Sequence, residues 1–365
     1  MKKLLFFGAF ISFSLISLAQ PDTSPVSGSE VNQATMDSLG LVNPKITKFY
    51  NQGVKALNSN NNIEAIQKFT EVILMDSKNT MALFNRGMAL KNLEKYDEAV
   101  KDFAKATEVD PSNAKAFYMK GMSYFESQKY DLAVKSLKSA YTIDPTLEKA
   151  AYYEGVSYFQ MESYDEAILA FDKAISMNSK YAYAYNDRGS AKLKQDKIEE
   201  AIKDYKFAVS IDKKLSFAYN NLASAYRKKE DYQSADKYYT EAIKYKQDYH
   251  VAYNNRGTVR FEKGDYTGAI SDFKKAITIK SDYAYAYNNK ATVYIKLEQY
   301  QQAIEACNKA LDLYPEYMEA FFNRGISKEM LKDLKGACAD WQDAFILGSE
   351  NAEKYINSPA CTTTK

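Results

Sequence analysis

Histidine is almost missing from this chain. One residue among 365, His250, carries an imidazole, which excludes a multi-histidine metal site and leaves no partner pattern for a Ser/His/Asp or Cys/His nucleophile. Charge of one sign is lacking too: 49 Lys and Arg against 47 Asp and Glu leave a net charge of +2 and a pI near 8.0. No concentrated basic stripe appears, so nucleic acid is not an expected partner. Stretches such as EKYDEAVKDFAKA (94–106) alternate both signs and read as a solvated helix face. Glycine is scarce, with 14 residues, and never gathers into a phosphate-cradling loop. The many carboxylates follow a surface pattern and do not pair in a cleft. No catalytic residue, metal or cofactor is therefore expected.

Long hydrophobic runs are also absent. The apolar run Leu4–Leu18 follows Met1-Lys2-Lys3, spans 15 residues and is broken by Gly8 and serines, which is short for a membrane span. With small residues at Ser17-Leu18-Ala19 it reads as a secretory signal over 1–19, cleaved before Gln20; an uncleaved anchor is the alternative. No cysteine follows the run, unlike a lipoprotein signal. Residues 20–45, rich in Ser, Pro, Asn and Thr, read as a flexible linker, with a short adhesive segment as the alternative. The expected location is periplasmic or extracellular, with any membrane association coming through an envelope partner.

Tyrosine, by contrast, occurs 31 times against one tryptophan. The stretch YAYAYN appears at residues 181–186 and again at 283–288, and the offset of 102 residues is three times 34. Cutting every 34 residues from Ile46 gives nine units without insertion or deletion: 46–79, 80–113, 114–147, 148–181, 182–215, 216–249, 250–283, 284–317 and 318–351. Position 8 of each unit is Gly or Ala, and position 20 is always Ala. Position 24 is bulky in most units, from Phe69 and Phe103 through Tyr239 and Phe273 to Trp341, with Cys307 in unit eight. Proline closes three units at position 32, where it cannot continue a helix. Small residues at 8 and 20 let two helices approach, and the residue at 24 fills the space between them.

This pattern resembles the tetratricopeptide repeat family over about 306 of 365 residues. The resemblance implies an all-α, right-handed superhelical α-solenoid of helix–turn–helix repeats, closed by a C-terminal capping tail at 352–365. It also implies that positions 2, 5, 6, 9 and 12 of the first helices line a concave groove. The YAYAYN runs then mark a turn entering a helix, with Tyr183 and Tyr285 at position 2 facing the groove and Tyr185 at position 4 packing on the neighbouring helix. Groove position 5 carries Tyr50, Phe84, Tyr118 and Tyr152 in units one to four, but Asn186, Asn220, Asn254 and Asn288 in units five to eight. Met88 and Met122 add apolar groups at position 9. Position 6 carries Asn51, Asn85, Asn221, Asn255, Asn289 and Asn323. An amide offers donor and acceptor together, so these rows read either as a ladder holding an extended polypeptide or as local helix geometry. The carboxylate clamp of chaperone-binding members is not met: Lys115 and Lys149 stand at position 2, but Met119 and Tyr153 occupy the clamp's arginine position.

The units also serve as an internal comparison. Where position 7 is arginine (Arg86, Arg188, Arg256, Arg324), position 23 is aspartate (Asp102, Asp204, Asp272, Asp340); the five other units have neither. An ion pair between the two helices of one repeat is expected, so that Arg256→Leu alone destabilises more than Arg256→Leu with Asp272→Leu. Cys307 takes a core position and is expected buried and free, whereas Cys338 and Cys361 are expected to form a disulfide pinning the tail. The expected function is a non-enzymatic scaffold of the cell envelope binding an extended polypeptide. A glycan-binding protein using Tyr183, Tyr285 and the asparagine rows is the alternative, and self-association through the apolar groove a third.

Overall fold

The computed structural model describes residues 43–362. The signal expected over 1–19 and nearly all of the linker expected over 20–45 lie outside these residues. The last two linker positions do not behave as linker. Asn43 accepts a hydrogen bond from Lys45 N at 3.0 Å and Pro44 takes the first helical position, so the first helix is Pro44–Asn58 and starts ahead of the first unit boundary. An asparagine cap followed by proline is a strong start signal, because proline's fixed φ suits the first turn and its missing N–H would be unpaired there anyway.

From there the described chain is helix after helix, with no strand among the described residues. Nine helix pairs follow the repeat, the first helices running from Thr80–Asn92 in unit two to Met318–Met330 in unit nine, and the second from Asn62–Met75 to Leu334–Ile346. Between the two helices of every unit, position 15 has positive φ. Eight of these are not glycine (Asn60, Glu94, Gln128, Glu162, Asp196, Glu230, Glu298, Lys332), and only Gly264 avoids the penalty of a side chain in the left-handed region.

Within each pair, position 8 meets position 24. A Cβ on Gly87 would sit 2.8 Å from the Phe103 ring, and one on Gly257 would sit 2.7 Å from Phe273. Glycine is therefore required by close approach at these positions. Unit eight reverses the sizes, with Ala291 opposite the smaller Cys307, both fully buried. Unit six places Ala223 with Tyr239, whose hydroxyl lies 2.8 Å from Ser224 Oγ.

The chain divides into two compact bodies at Ile211/Asp212. The first contains the helix pairs of units one to five. Its core runs through Phe69, Phe103, Leu137, Phe171 and Tyr205, all 0–1% exposed, each contributing about 1.5–3 kcal/mol by burial. The second contains the pairs of units six to nine with core residues Tyr239, Phe273, Cys307 and Trp341, and ends in two short helices, Glu350–Ile356 and Pro359–Thr362. The first of these straddles the expected boundary at 351/352. Tyr355 lays its ring 4.5 Å from that of Trp341 and 5.4 Å from that of Phe322, covering apolar surface of the last repeat. Cys338 and Cys361 are disulfide-bonded with Cα atoms 5.5 Å apart, fastening the final helix to the second helix of unit nine.

Candidate functional site: the seams and faces of the repeats

The asparagine rows do not line an open groove. Asn186, Asn220, Asn221, Asn254, Asn255, Asn288 and Asn289 are 0–2% exposed, and Asn85 and Asn323 are 6% and 5% exposed; Asn51 is half-buried. Within each body, position 5 of one unit meets position 6 of the next, 35 residues on. In the second body Asn255 Nδ2 donates to Asn220 Oδ1 at 3.3 Å, Asn289 Nδ2 to Asn254 Oδ1 at 2.9 Å, and Asn323 Nδ2 to Asn288 Oδ1 at 2.9 Å. Within a unit, Asn220 and Asn254 reach weakly towards Asn221 and Asn255 at 3.5 Å. The amides thus form a buried relay between first helices, and the ladder expected to grip a ligand instead grips the neighbouring repeat.

The first body fills the same slot with other groups. Asn85 Nδ2 donates to the Tyr50 hydroxyl at 2.8 Å, and the Tyr152 hydroxyl donates to Asp187 Oδ2 at 2.5 Å, while Asn186 Nδ2 reaches Asp187 Oδ1 at 2.8 Å. Burial, and then the Asp187 charge, push the Tyr152 hydroxyl pKa well above its ordinary value, so it stays a donor. Tyr50 and Tyr152 are accordingly core residues, 4% and 0% exposed, as are Met88 and Met122 at 5% and 4%. The expectation that these four line an open groove is corrected: the same seam closes over Tyr50 and Tyr152, Met88 packs in the core with Tyr50 and Phe69, and Met122 is buried. Phe84, Tyr118, Tyr183 and Tyr285 do remain partly exposed, Phe84 and Tyr118 with one side packed on the core of the first body. Tyr183 meets Tyr181 edge-on at 6.4 Å, and Tyr285 is flanked by Tyr283 at 5.6 Å and Tyr317 at 5.4 Å.

A second set of seams lies at position 7. Arg86 holds Asp102 through both Nε and Nη2 at 2.7 Å, and Arg188, Arg256 and Arg324 hold Asp204, Asp272 and Asp340 in the same bidentate way at 2.5–3.0 Å. Each arginine has a further partner. Its Nη1 donates to position 25 of the preceding unit: Thr70 at 3.1 Å, Asp172 at 2.5 Å, Thr240 at 3.0 Å and Asn308 at 2.7 Å. One guanidinium therefore ties three helices from two repeats. The signal was present in the sequence, because position 25 is a hydrogen-bond acceptor before every arginine unit and Ala104, Lys138, Lys206 or Lys274 before the others.

Three of the aspartates are also shared. Lys192, Arg260 and Lys328, at position 11, lie 2.9, 2.9 and 2.8 Å from Asp204, Asp272 and Asp340, whereas unit two has Leu90 there. Asp272 thus keeps Arg260 when Arg256 is removed, and a double leucine change would strip Arg260 of Asp272. The orphaned-charge cycle expected at Arg256 belongs at Arg86 and Asp102.

Unit four inverts the arrangement. Position 7 is Glu154, 5% exposed; burial raises its pKa, while a hydrogen bond from Tyr141 and the charge of Lys138 at position 25 act the other way. Cys307 is buried and free, its thiol pushed up to about 12 by burial, which keeps it protonated and unreactive. His250 rests edge-on against Tyr283 at 4.9 Å, and burial lowers its pKa. Among the described residues no group of three or more His, Cys, Asp or Glu could hold a metal ion, and no helix is long and apolar enough to cross a membrane.

Models described as Tetratricopeptide repeat match residues 84–148, 182–215, 218–249 and 284–317, and a model described as TPR repeat matches 155–196 and 257–298. Together they cover more than half of the chain. The chain belongs to the tetratricopeptide repeat family. No curated protein matches it. Among solved structures, the tetratricopeptide fold extends over most of the chain in the APC/C hetero-tetramer Cut9-Hcn1, at 17% identity and a TM-score of 0.54 over 90% of this chain and 80% of that one. PilF of Pseudomonas aeruginosa is 18% identical, with a TM-score of 0.50 over 58% of this chain and 96% of its own. YrrB, a TPR protein with an unusual peptide-binding site, is 22% identical with a TM-score of 0.44 over 52% of this chain and 97% of its own.

Proposed function

We propose that this tetratricopeptide repeat protein is a non-catalytic scaffold of the cell envelope that binds an extended polypeptide along the first helices of its repeats. The observation that carries this reading is the partial exposure of Phe84 and Tyr118 at position 5 of adjoining repeats, beside Lys115, while the polar rows around them are closed. Spaced rings left partly open on a stack of helices offer apolar contacts to alternate side chains of a partner, and a neighbouring cation favours acidic residues between them. Export is supported by the basic start and the apolar run ahead of the repeats, and by the Cys338–Cys361 bridge, which suits an oxidising compartment. The glycan reading loses its main support, because the asparagine rows it needs are buried.

The test is selection of peptides from a random extended library on the intact chain, followed by affinity measurement. Phe84→Ala with Tyr118→Ala should weaken the selected peptides about tenfold or more at a temperature below the variant's thermal transition, which falls because both rings also pack on the core. Peptides that bind both forms equally, or signal on a glycan array with none in the library, would overturn the proposal.

A further inference from the structure

Unit eight lacks the staple that the arginine repeats share. Position 7 is Lys290 and position 23 is Ala306, so the carboxylate that Asp102, Asp204, Asp272 and Asp340 supply elsewhere is missing. Among the described residues no carboxylate lies within ion-pair distance of Lys290. Its Nζ sits instead over two rings, 5.4 Å from the centre of Tyr287 and 5.9 Å from that of Tyr294. Tyr287 is at position 4, where Tyr185, Tyr253 and Phe321 underlie the arginines at 5.2, 5.5 and 5.3 Å. The cationic seat is therefore conserved in shape between repeats while its counter-ion is gone.

The shortening from aspartate to alanine is matched by open space. A cleft of about 520 Å³ lies over Ala306, with Lys290, Tyr287 and Tyr294 on one side and Gln302, Glu305 and Lys309 among its other walls. Burial and the neighbouring cation Lys274 lower the Lys290 pKa, with the charge of Glu305 acting the other way, as expected for a half-buried ammonium with no carboxylate bonded to it. Lys309 is engaged at the rim with Asp312 at 3.4 Å. Glu305 is exposed on the wall of the same cleft, where its charge acts on Lys290 from beyond ion-pair distance.

We propose that this cleft is a docking pocket for an acidic side chain of a protein partner, whose carboxylate takes the place that aspartate occupies at position 23 of the arginine repeats. The charge of the seat selects the anion, and the tyrosine pair excludes water from one side of the contact. A protein occupant fits because Gln302, Glu305 and Lys309 are exposed around the opening, so that a partner surface can approach while one side chain enters. This site is separate from the rings at Phe84 and Tyr118 and stands whether or not those bind peptide.

The test uses the intact chain with its lysines reductively methylated with carbon-13, titrated with a short peptide centred on Asp, with the same peptide centred on Asn, and with acetate. The Asp peptide should shift the Lys290 methyl resonance saturably, and the Asn peptide should not. Ala306→Asp restores the missing carboxylate within the chain and should weaken the Asp peptide about tenfold. Lys290→Met should abolish its binding, and Glu305→Gln should tighten it by removing a like charge. Lys290 unmoved by the Asp peptide, equal response to Asp and Asn, or undiminished binding by Ala306→Asp would overturn the proposal. Acetate binding as tightly as the peptide would overturn the protein partner in favour of a small carboxylate.

Discussion

The two bodies of the molecule solve one packing problem with different chemistry. Where position 5 of one repeat meets position 6 of the next, the first body uses a phenol to an amide (Tyr50, Asn85) and a phenol to a buried carboxylate (Tyr152, Asp187), and its sequence sets Phe84 against Met119 at the equivalent positions. The second body uses amide to amide three times in succession. The first therefore has a different seam at each junction, and the second has a single repeated one. Partners at these positions change together: a lone substitution leaves a buried donor or acceptor unmatched, which costs more than the bond itself contributes.

The staples offer the sharpest way to break this comparison. Arg86→Leu should destabilise by about 3 kcal/mol, because among the described residues Asp102 has no second cation within ion-pair distance, and Arg86→Leu with Asp102→Leu should recover part of that. Arg256→Leu should destabilise less, since Arg260 remains on Asp272. Urea midpoints of the three variants check the order; equal losses at Arg86 and Arg256 would show that the second cation does not compensate.

The seam itself comes next. Asn254→Leu strands the Asn289 amide and should lower stability by about 2 kcal/mol. Transplanting the first body's apolar pair, as Asn254→Phe with Asn289→Met, should return at least half of the loss in the same urea experiment. A double variant no better than the single would mean that the shape of the slot, and not matched polarity, sets the pairing.

The smallest effect is a pH dependence confined to the first body. Burial raises the Glu154 pKa above its unfolded value, so the folded chain holds that proton more tightly. The resulting penalty is absent below about pH 4.3, the usual glutamate value, grows as pH rises through the folded pKa, and is complete above it. Glu154→Gln should therefore be more stable than the parent at pH 7 and indistinguishable from it near pH 4, as read by thermal unfolding across that range. A difference that widens towards acid would have the wrong sign and would exclude a raised pKa.

Much of this was legible in the chain. The period of 34 set the helix pairs, and the covariation of Arg at 7 with Asp at 23 foretold which side chains meet. The pairing with position 25 was equally readable, as Thr70, Asp172, Thr240 and Asn308 precede the arginine units, but it needed a comparison between neighbouring units. The left-handed turn residue was not readable, because Glu94, Gln128 and Lys332 carry no sign of positive φ; only the fixed helix spacing on either side imposes it.

The asparagine rows mark the limit. Their spacing placed them on one flank of the first helices, and the sequence alone determined that much, as it determined the repeat, its small and large contact positions and the charge pairs. A flank can face a ligand or the next repeat, and residue type does not distinguish them, since an amide satisfies a peptide and another amide equally well. Only the tertiary structure decided it, by bringing adjoining first helices close enough for position 5 to bury position 6 of its neighbour. The seat of Lys290 lies elsewhere, between the two helices of unit eight, where alanine stands in aspartate's place.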